Sequence, residues 1–162
     1  MAERLEVSQM LANEFESKRQ FEWIMEIDGV DAFTAKTFVR PSKSHEDITI
    51  DYINQKRFLA GKGEWQPMEL TLFDPIEPSA AQKVMDWLRL VHDDVVGRMG
   101  YSAIYKRNFA LKMLGPDGLV VEKWNVIGAW PKEIRFGELD YASSEAVMIS
   151  VTLRIDQARQ EF

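Results

Sequence analysis

Period-two alternation dominates the chain. It is clearest from Val147 to Asp156, where Val147, Ile149, Val151, Leu153 and Ile155 alternate with Met148, Ser150, Thr152, Arg154 and Asp156. Such spacing places one set on each face of a β-strand. Near the start, Phe21, Trp23, Met25 and Ile27 share one face, and Glu22, Ile24, Glu26 and Asp28 the other. Asp28-Gly29 turns the chain and 32–39 reads as a returning strand, so 21–39 is predicted to be a hairpin. Pro41 then interrupts the ladder, because it lacks a backbone N–H. Residues 46–53 alternate again and lead into Asn54-Gln55-Lys56-Arg57-Phe58-Leu59-Ala60-Gly61-Lys62-Gly63, a basic stretch ending in two glycines. The span 40–63 is therefore predicted to be a long, partly extended loop excursion, a feature that often forms a functional surface.

A compact strand is predicted over 68–74. The helix that follows has Ser79 as N-cap, with Gln82 three residues on. Val84, Trp87, Leu88, Val91 and Val95 recur at helical intervals opposite Lys83, Asp86, Arg89 and Asp93, and Gly97 is a natural stop. Strands over 107–114 and 119–129 flank the turn Gly115-Pro116-Asp117-Gly118, and strands over 133–141 and 145–156 flank Ala142-Ser143-Ser144. Residues 1–18 form an N-terminal arm with an imperfect helical stripe of Leu5, Met10, Leu11 and Phe15. The predicted fold is mainly β. It is an antiparallel β-barrel or sandwich with one α-helix (about 79–97) and the long excursion (about 40–63), in a single domain spanning 1–162.

Composition narrows the chemistry. The apolar fraction of 46% supports a core, and no run is long enough to suggest a membrane anchor. The first fifteen residues interleave carboxylates with apolar side chains, unlike a signal peptide. Zero cysteines exclude disulfides, thiolate nucleophiles and sulfur-ligated zinc. The two histidines, His45 and His92, read as ordinary surface residues. No phosphate-binding loop or nucleophile elbow occurs, and the neighbouring carboxylates Asp93 and Asp94 point about 100° apart on a helix. No catalytic, cofactor or metal site is expected. A net charge of −6 argues against a phosphate-gripping surface, yet suits a wall past which nucleic acid slides.

One succession of segments is distinctive. Asn54 to Gly61 precedes the strand Met68-Glu69-Leu70-Thr71-Leu72-Phe73-Asp74, and Ala81-Gln82-Lys83-Val84-Met85-Asp86-Trp87 lies in the helix. Then come Ile127-Gly128-Ala129-Trp130-Pro131-Lys132-Glu133-Ile134, Gly137-Glu138-Leu139-Asp140 and the last alternating strand. This order resembles the tail tube proteins of T-even-like contractile bacteriophages over roughly residues 18–156. Its most specific piece is Gly-Ala-Trp-Pro, in which Pro131 would make a corner covered by Trp130.

The resemblance implies a structural virion protein that forms stacked hexameric rings. The rings would build the inner tail tube of a contractile phage tail, the conduit for DNA ejection, assembled in the host cytoplasm. It implies a ring-to-ring surface on the excursion, here Arg40, Lys43, Lys56, Arg57, Phe58, Leu59 and Lys62. The cations would set register, and Phe58 and Leu59 would supply the apolar contact. Glu22, Glu26 and Asp28 would face the lumen, and Asp86, Arg89 and Asp93 on the helix would face a tail sheath protein. Further implied partners are baseplate and tail terminator proteins, and a tape-measure protein and DNA in the lumen without sequence-specific binding. Two other classes share part of this reading: the tube of a type VI secretion or extracellular contractile injection system, and a small β-barrel enzyme or ligand carrier.

Overall fold

A computed structural model describes residues 16–162, so the expected stripe of Leu5, Met10, Leu11 and Phe15 lies outside the described residues. The elements in chain order are β1 (Trp23–Glu26), a 3-10 turn (Ala32–Thr34), β2 (Ala35–Phe38), β3 (Lys43–Asp51), β4 (Lys56–Trp65) and β5 (Met68–Phe73). Helix α1 (Ala80–Val91) follows, with a small hairpin of β6 (His92–Asp93) and β7 (Arg98–Met99) and the one-turn helix α2 (Ser102–Tyr105). The chain ends with β8 (Arg107–Leu114), β9 (Val120–Arg135), β10 (Met148–Arg154) and β11 (Gln157–Gln160).

Apart from the separate two-stranded pairs β3-β4 and β6-β7, seven strands form one bent antiparallel sheet of order β1-β8-β9-β10-β5-β2, with β11 also paired to β9. The 16-residue β9 organises it. Its first part pairs with β8 and β11, and Trp130–Arg135 pair with β10. The sheet is sandwich-like and does not close into a barrel. β1 and β2 are the two free ends of the path, and Trp23 of one stacks on Phe38 of the other, with ring centroids 6.3 Å apart.

The predicted hairpin over 21–39 is therefore corrected. β1 pairs with β8 and β2 with β5, and the chain between them makes only the Ile27–Val30 bridge and the 3-10 turn. Local turn chemistry is right, but β8 and β5 bury the apolar faces better than the two strands bury each other. Met25, Leu70, Leu72, Phe109, Leu111, Val126, Ile149, Val151 and Leu153 form the core, with α1 packed on it through Val84 and Trp87.

The start of α1 is as predicted: Gln82 N donates to Ser79 Oγ at 3.3 Å, and Ala81 N donates to the Asp74 carboxylate at 3.1 Å. Its end is not. The helix stops at Val91 because His92 turns extended (φ −149°) and pairs with Met99. Gly97, at φ +69°, serves the turn of that hairpin, and Gly97 N donates to Asp93 O at 2.7 Å.

The expected corner at Trp130-Pro131 also shifts. β9 runs straight through both residues, with Pro131 opposite Leu153 beside a register shift that absorbs its missing N–H. The bend lies at Gly128, whose φ of +71° only glycine adopts readily. Trp130 packs edge-on against Tyr105 at 6.1 Å.

Candidate assembly surfaces

The span 40–63 is not a loop. β3 and β4 pair through Lys43–Trp65, Ile48–Leu59, Ile50–Arg57 and Asp51–Lys56. Bonds from Val39 N to Glu69 O (3.0 Å) and from Gln66 N to Ser42 O (2.9 Å) bridge the breaks at Pro41 and Pro67. β2-β3 and β4-β5 thus make one long ribbon, whose outer half leaves the sheet and has no core beneath it. Every residue of β3 is exposed, as is nearly all of β4.

Register sorts the predicted ring-to-ring residues. Residues opposite one another share a face, so Ile48, Ile50, Leu59 and Arg57 lie together. Asp47, Thr49, Asp51, Phe58 and Lys56 lie on the other face. Phe58 and Leu59, expected to act together, point to opposite sides. The basic character expected of this span is also offset in number by carboxylates on the same two strands. The cations Lys43, Lys56, Arg57 and Lys62 share the ribbon with Glu46, Asp47, Asp51 and Glu64. Lys56 reaches Asp51 at 3.9 Å, Lys43 lies over the Trp65 ring at 5.5 Å, and Lys62 is exposed. An ion pair from Arg154 to Glu64 ties the ribbon's base to β10.

Arg40 sits at the ribbon's root, and its partner was not visible in the sequence. Its guanidinium lies 3.5 Å from Glu122, a carboxylate of β9 that is only 3% exposed. The same carboxylate holds the Lys18 ammonium and accepts from Trp124 Nε1. Burial alone would raise the Glu122 pKa, but these hydrogen bonds and the charges of Lys18 and Arg40 hold it below the usual carboxylate range.

Above this cluster, the seam between β1 and β2 opens into a cavity of about 460 Å³. Its floor is Trp23 and Phe38, and Lys18, Lys36 and Arg40 stand around it. With one carboxylate against three cations, the cavity is locally basic in an acidic chain. Lys36 has no carboxylate partner among the described residues; it lies over the Phe73 ring at 5.5 Å and contacts Met148 Sδ at 3.0 Å.

The expected lumen carboxylates are not a uniform stripe. Glu26 is exposed and paired with Lys112 at 2.7 Å, Asp28 is exposed, and Glu22 is half-buried beside Arg19 at 3.5 Å. On α1, Asp86 and Arg89 are exposed and paired at 3.1 Å. Asp93 lies beyond the helix, where its carboxylate accepts from Val95 N at 3.0 Å.

No group of three or more metal-ligating side chains occurs among the described residues, and no described helix is long and apolar enough to cross a membrane.

Comparison with known proteins agrees with this architecture. Residues 48–159 match the family described as T4-like virus tail tube protein gp19. The chain is 26% identical over 129 residues to the tail tube protein gp19 of Enterobacteria phage T4, covering 76% of this chain and 78% of that one. Among solved structures it resembles an extracellular contractile injection system, the PVC sheath/tube terminator in the extended state. There the TM-score is 0.69 at 17% identity, over 93% of this chain and 100% of the other. The PVC sheath-tube complex of such a system gives a TM-score of 0.62 at 17% identity, over 98% and 99% of the two chains.

Proposed function

The chain belongs to the T4-like virus tail tube protein gp19 family, a structural and not an enzymatic family, and from that premise we infer that its copies close into six-membered rings that stack into the inner tube of a contractile phage tail. Such a tube is the conduit for DNA ejection. The observation that supports it most directly is the ribbon of β3 and β4, paired along its length yet exposed on both faces. An isolated two-stranded ribbon is marginal in water, so this one is completed by a neighbour. A head-to-tail contact of this kind is heterologous and generates an open filament.

Within a ring, sheet edges supply the joints. β2 has a partner on one side only, and so has the Trp130–Arg135 part of β9. Joining these edges between copies removes both from solvent. Glu22, Glu26 and Asp28 are the proposed lumen carboxylates. With Glu26 neutralised by Lys112, the wall there repels DNA only weakly. Asp86, Arg89 and Asp93 are the residues offered to the sheath. Baseplate and terminator proteins at the ends, a tape-measure protein in the lumen and assembly in the host cytoplasm complete the reading.

A tube of an extracellular contractile injection system is the second reading, favoured by the shared fold. Capsid and terminase genes beside this one select the phage; effector genes select the injection system. Electron micrographs of the concentrated purified protein test the common part. Rings or tubes are expected, and protein that stays monomeric with and without tail baseplates counts against it.

A further inference from the structure

The loop between β9 and β10 is the counterpart of the basic cavity. From Phe136 to Val147 it carries Glu138, Asp140 and Glu145 and no Lys or Arg. Within it, Leu139 is 83% exposed and Tyr141 fully so. The loop is nonetheless held in shape, because Ala142 N donates to Asp140 Oδ1 at 2.9 Å and Glu145 N to Ser143 Oγ at 3.3 Å. None of its carboxylates makes an ion pair with a described residue. An acidic knob bearing a leucine and a tyrosine thus stands out from a chain whose basic cavity has an aromatic floor.

Topology relates the two. The cavity opens beside β2, one free edge of the sheet. The loop begins one residue after Arg135, where the unpaired side of the Trp130–Arg135 part of β9 ends. Joining β2 of one copy to the second part of β9 of the next therefore carries the loop to the cavity. We propose that the loop 138–141 of one copy docks in the cavity between β1 and β2 of its neighbour, with Glu138 and Asp140 meeting Lys36 and Arg40, and Leu139 and Tyr141 covering Trp23 and Phe38. The apolar pair supplies the contact and the charges select its register. This rests on the ring reading above and adds to it a specific lock between copies.

The test uses the full-length chain and its lack of cysteine. In a Lys36→Cys, Glu138→Cys double variant, mild oxidation of assembled protein is expected to give a ladder of covalent multimers under denaturing electrophoresis. A monomer with an internal crosslink, or no crosslink in assembled tubes, overturns the proposal. Charge reversal gives the second arm. Lys36→Glu is expected to raise the concentration needed for assembly about tenfold or more, while the thermal unfolding of the unassembled protein is unchanged. Adding Glu138→Lys should restore assembly. Wild-type-like assembly of the Lys36→Glu variant overturns the lock, as does rescue by Glu6→Lys in its place, which would assign the cavity to the amino-terminal segment. Failure of the wild-type protein to form rings is a different result, and it removes the ring reading itself.

Discussion

Gly128 and Asp156 lie against each other where the sheet bends. Asp156 N donates to Ile127 O at 3.1 Å, and a Cβ on Gly128 would collide with the Asp156 carboxylate. β9 and the consecutive strands β10 and β11, both paired to it, turn together at this point, and Lys106 fixes Asp156 from outside at 2.7 Å. Gly128→Ala combines a left-handed backbone, costing about 1–2 kcal/mol, with overpacking of about 1–3 kcal/mol. Urea unfolding should show a loss of about 2–5 kcal/mol. A loss under about 1 kcal/mol would mean that the bend does not depend on this residue.

Trp87 anchors α1. Its side chain is 1% exposed, its Nε1 donates to Tyr105 O at 2.7 Å, and the Arg107 guanidinium stacks on it at 4.5 Å. Trp87→Ala should cost about 3–5 kcal/mol. Trp87→Phe keeps most of the volume but leaves Tyr105 O unpaired, so it should cost less. Equal losses for the two variants in thermal unfolding would contradict this account.

The ribbon's two faces predict unequal effects on assembly. Ile48→Ser and Leu59→Ser remove apolar side chains that sit together, whereas Phe58→Ser acts on the face shared with Asp47, Thr49 and Asp51. All three positions are exposed in the single chain, so each variant should unfold within about 0.5 kcal/mol of wild type. Sedimentation of assembled material should fall most for the first two. An equal or greater loss for Phe58→Ser would assign the buried face to the other side.

Glu122 gives a pH dependence with a definite sign. Its folded pKa lies below the value of about 4.3 expected when unfolded, so the unfolded state binds its proton first as acid is added. The stabilisation is complete above the unfolded pKa and is lost as pH falls through the depressed folded value. Glu122→Gln has no such proton to bind. Denaturant midpoints of wild type should therefore drop more steeply than those of the variant between about pH 5 and pH 3. Parallel profiles would remove Glu122 from the acid response.

What the sequence revealed was governed by neighbours. The β10 alternation, the turn at 115–118 and the Ser79 cap were legible because each depends on residues a few positions apart. The partners of β1 and β2 were not, because 107–114 and 68–73 compete for them across the whole chain. β11 escaped notice because Gln157, Arg159 and Gln160 leave only Ala158 to signal a buried face. In the ribbon, alternation did separate Phe58 from Leu59, yet the pairing of Asp51 with Lys56 needed the register of β3 on β4. The cavity had no local signal at all: Lys18, Lys36, Arg40 and Glu122 meet only in three dimensions.

The ribbon also bears on how growth begins. In a free subunit it has no surface to rest on, and ordering a residue costs about 1–2 kcal/mol. Two free subunits that meet must both meet that cost before either gains. A subunit arriving at an existing end finds one side already ordered. Initiation is then slow and elongation fast, so a concentrated pool starts few tubes by itself and lengthens any seed it meets. Tube number would follow the number of seeds, and the pool would set only how quickly each one lengthens.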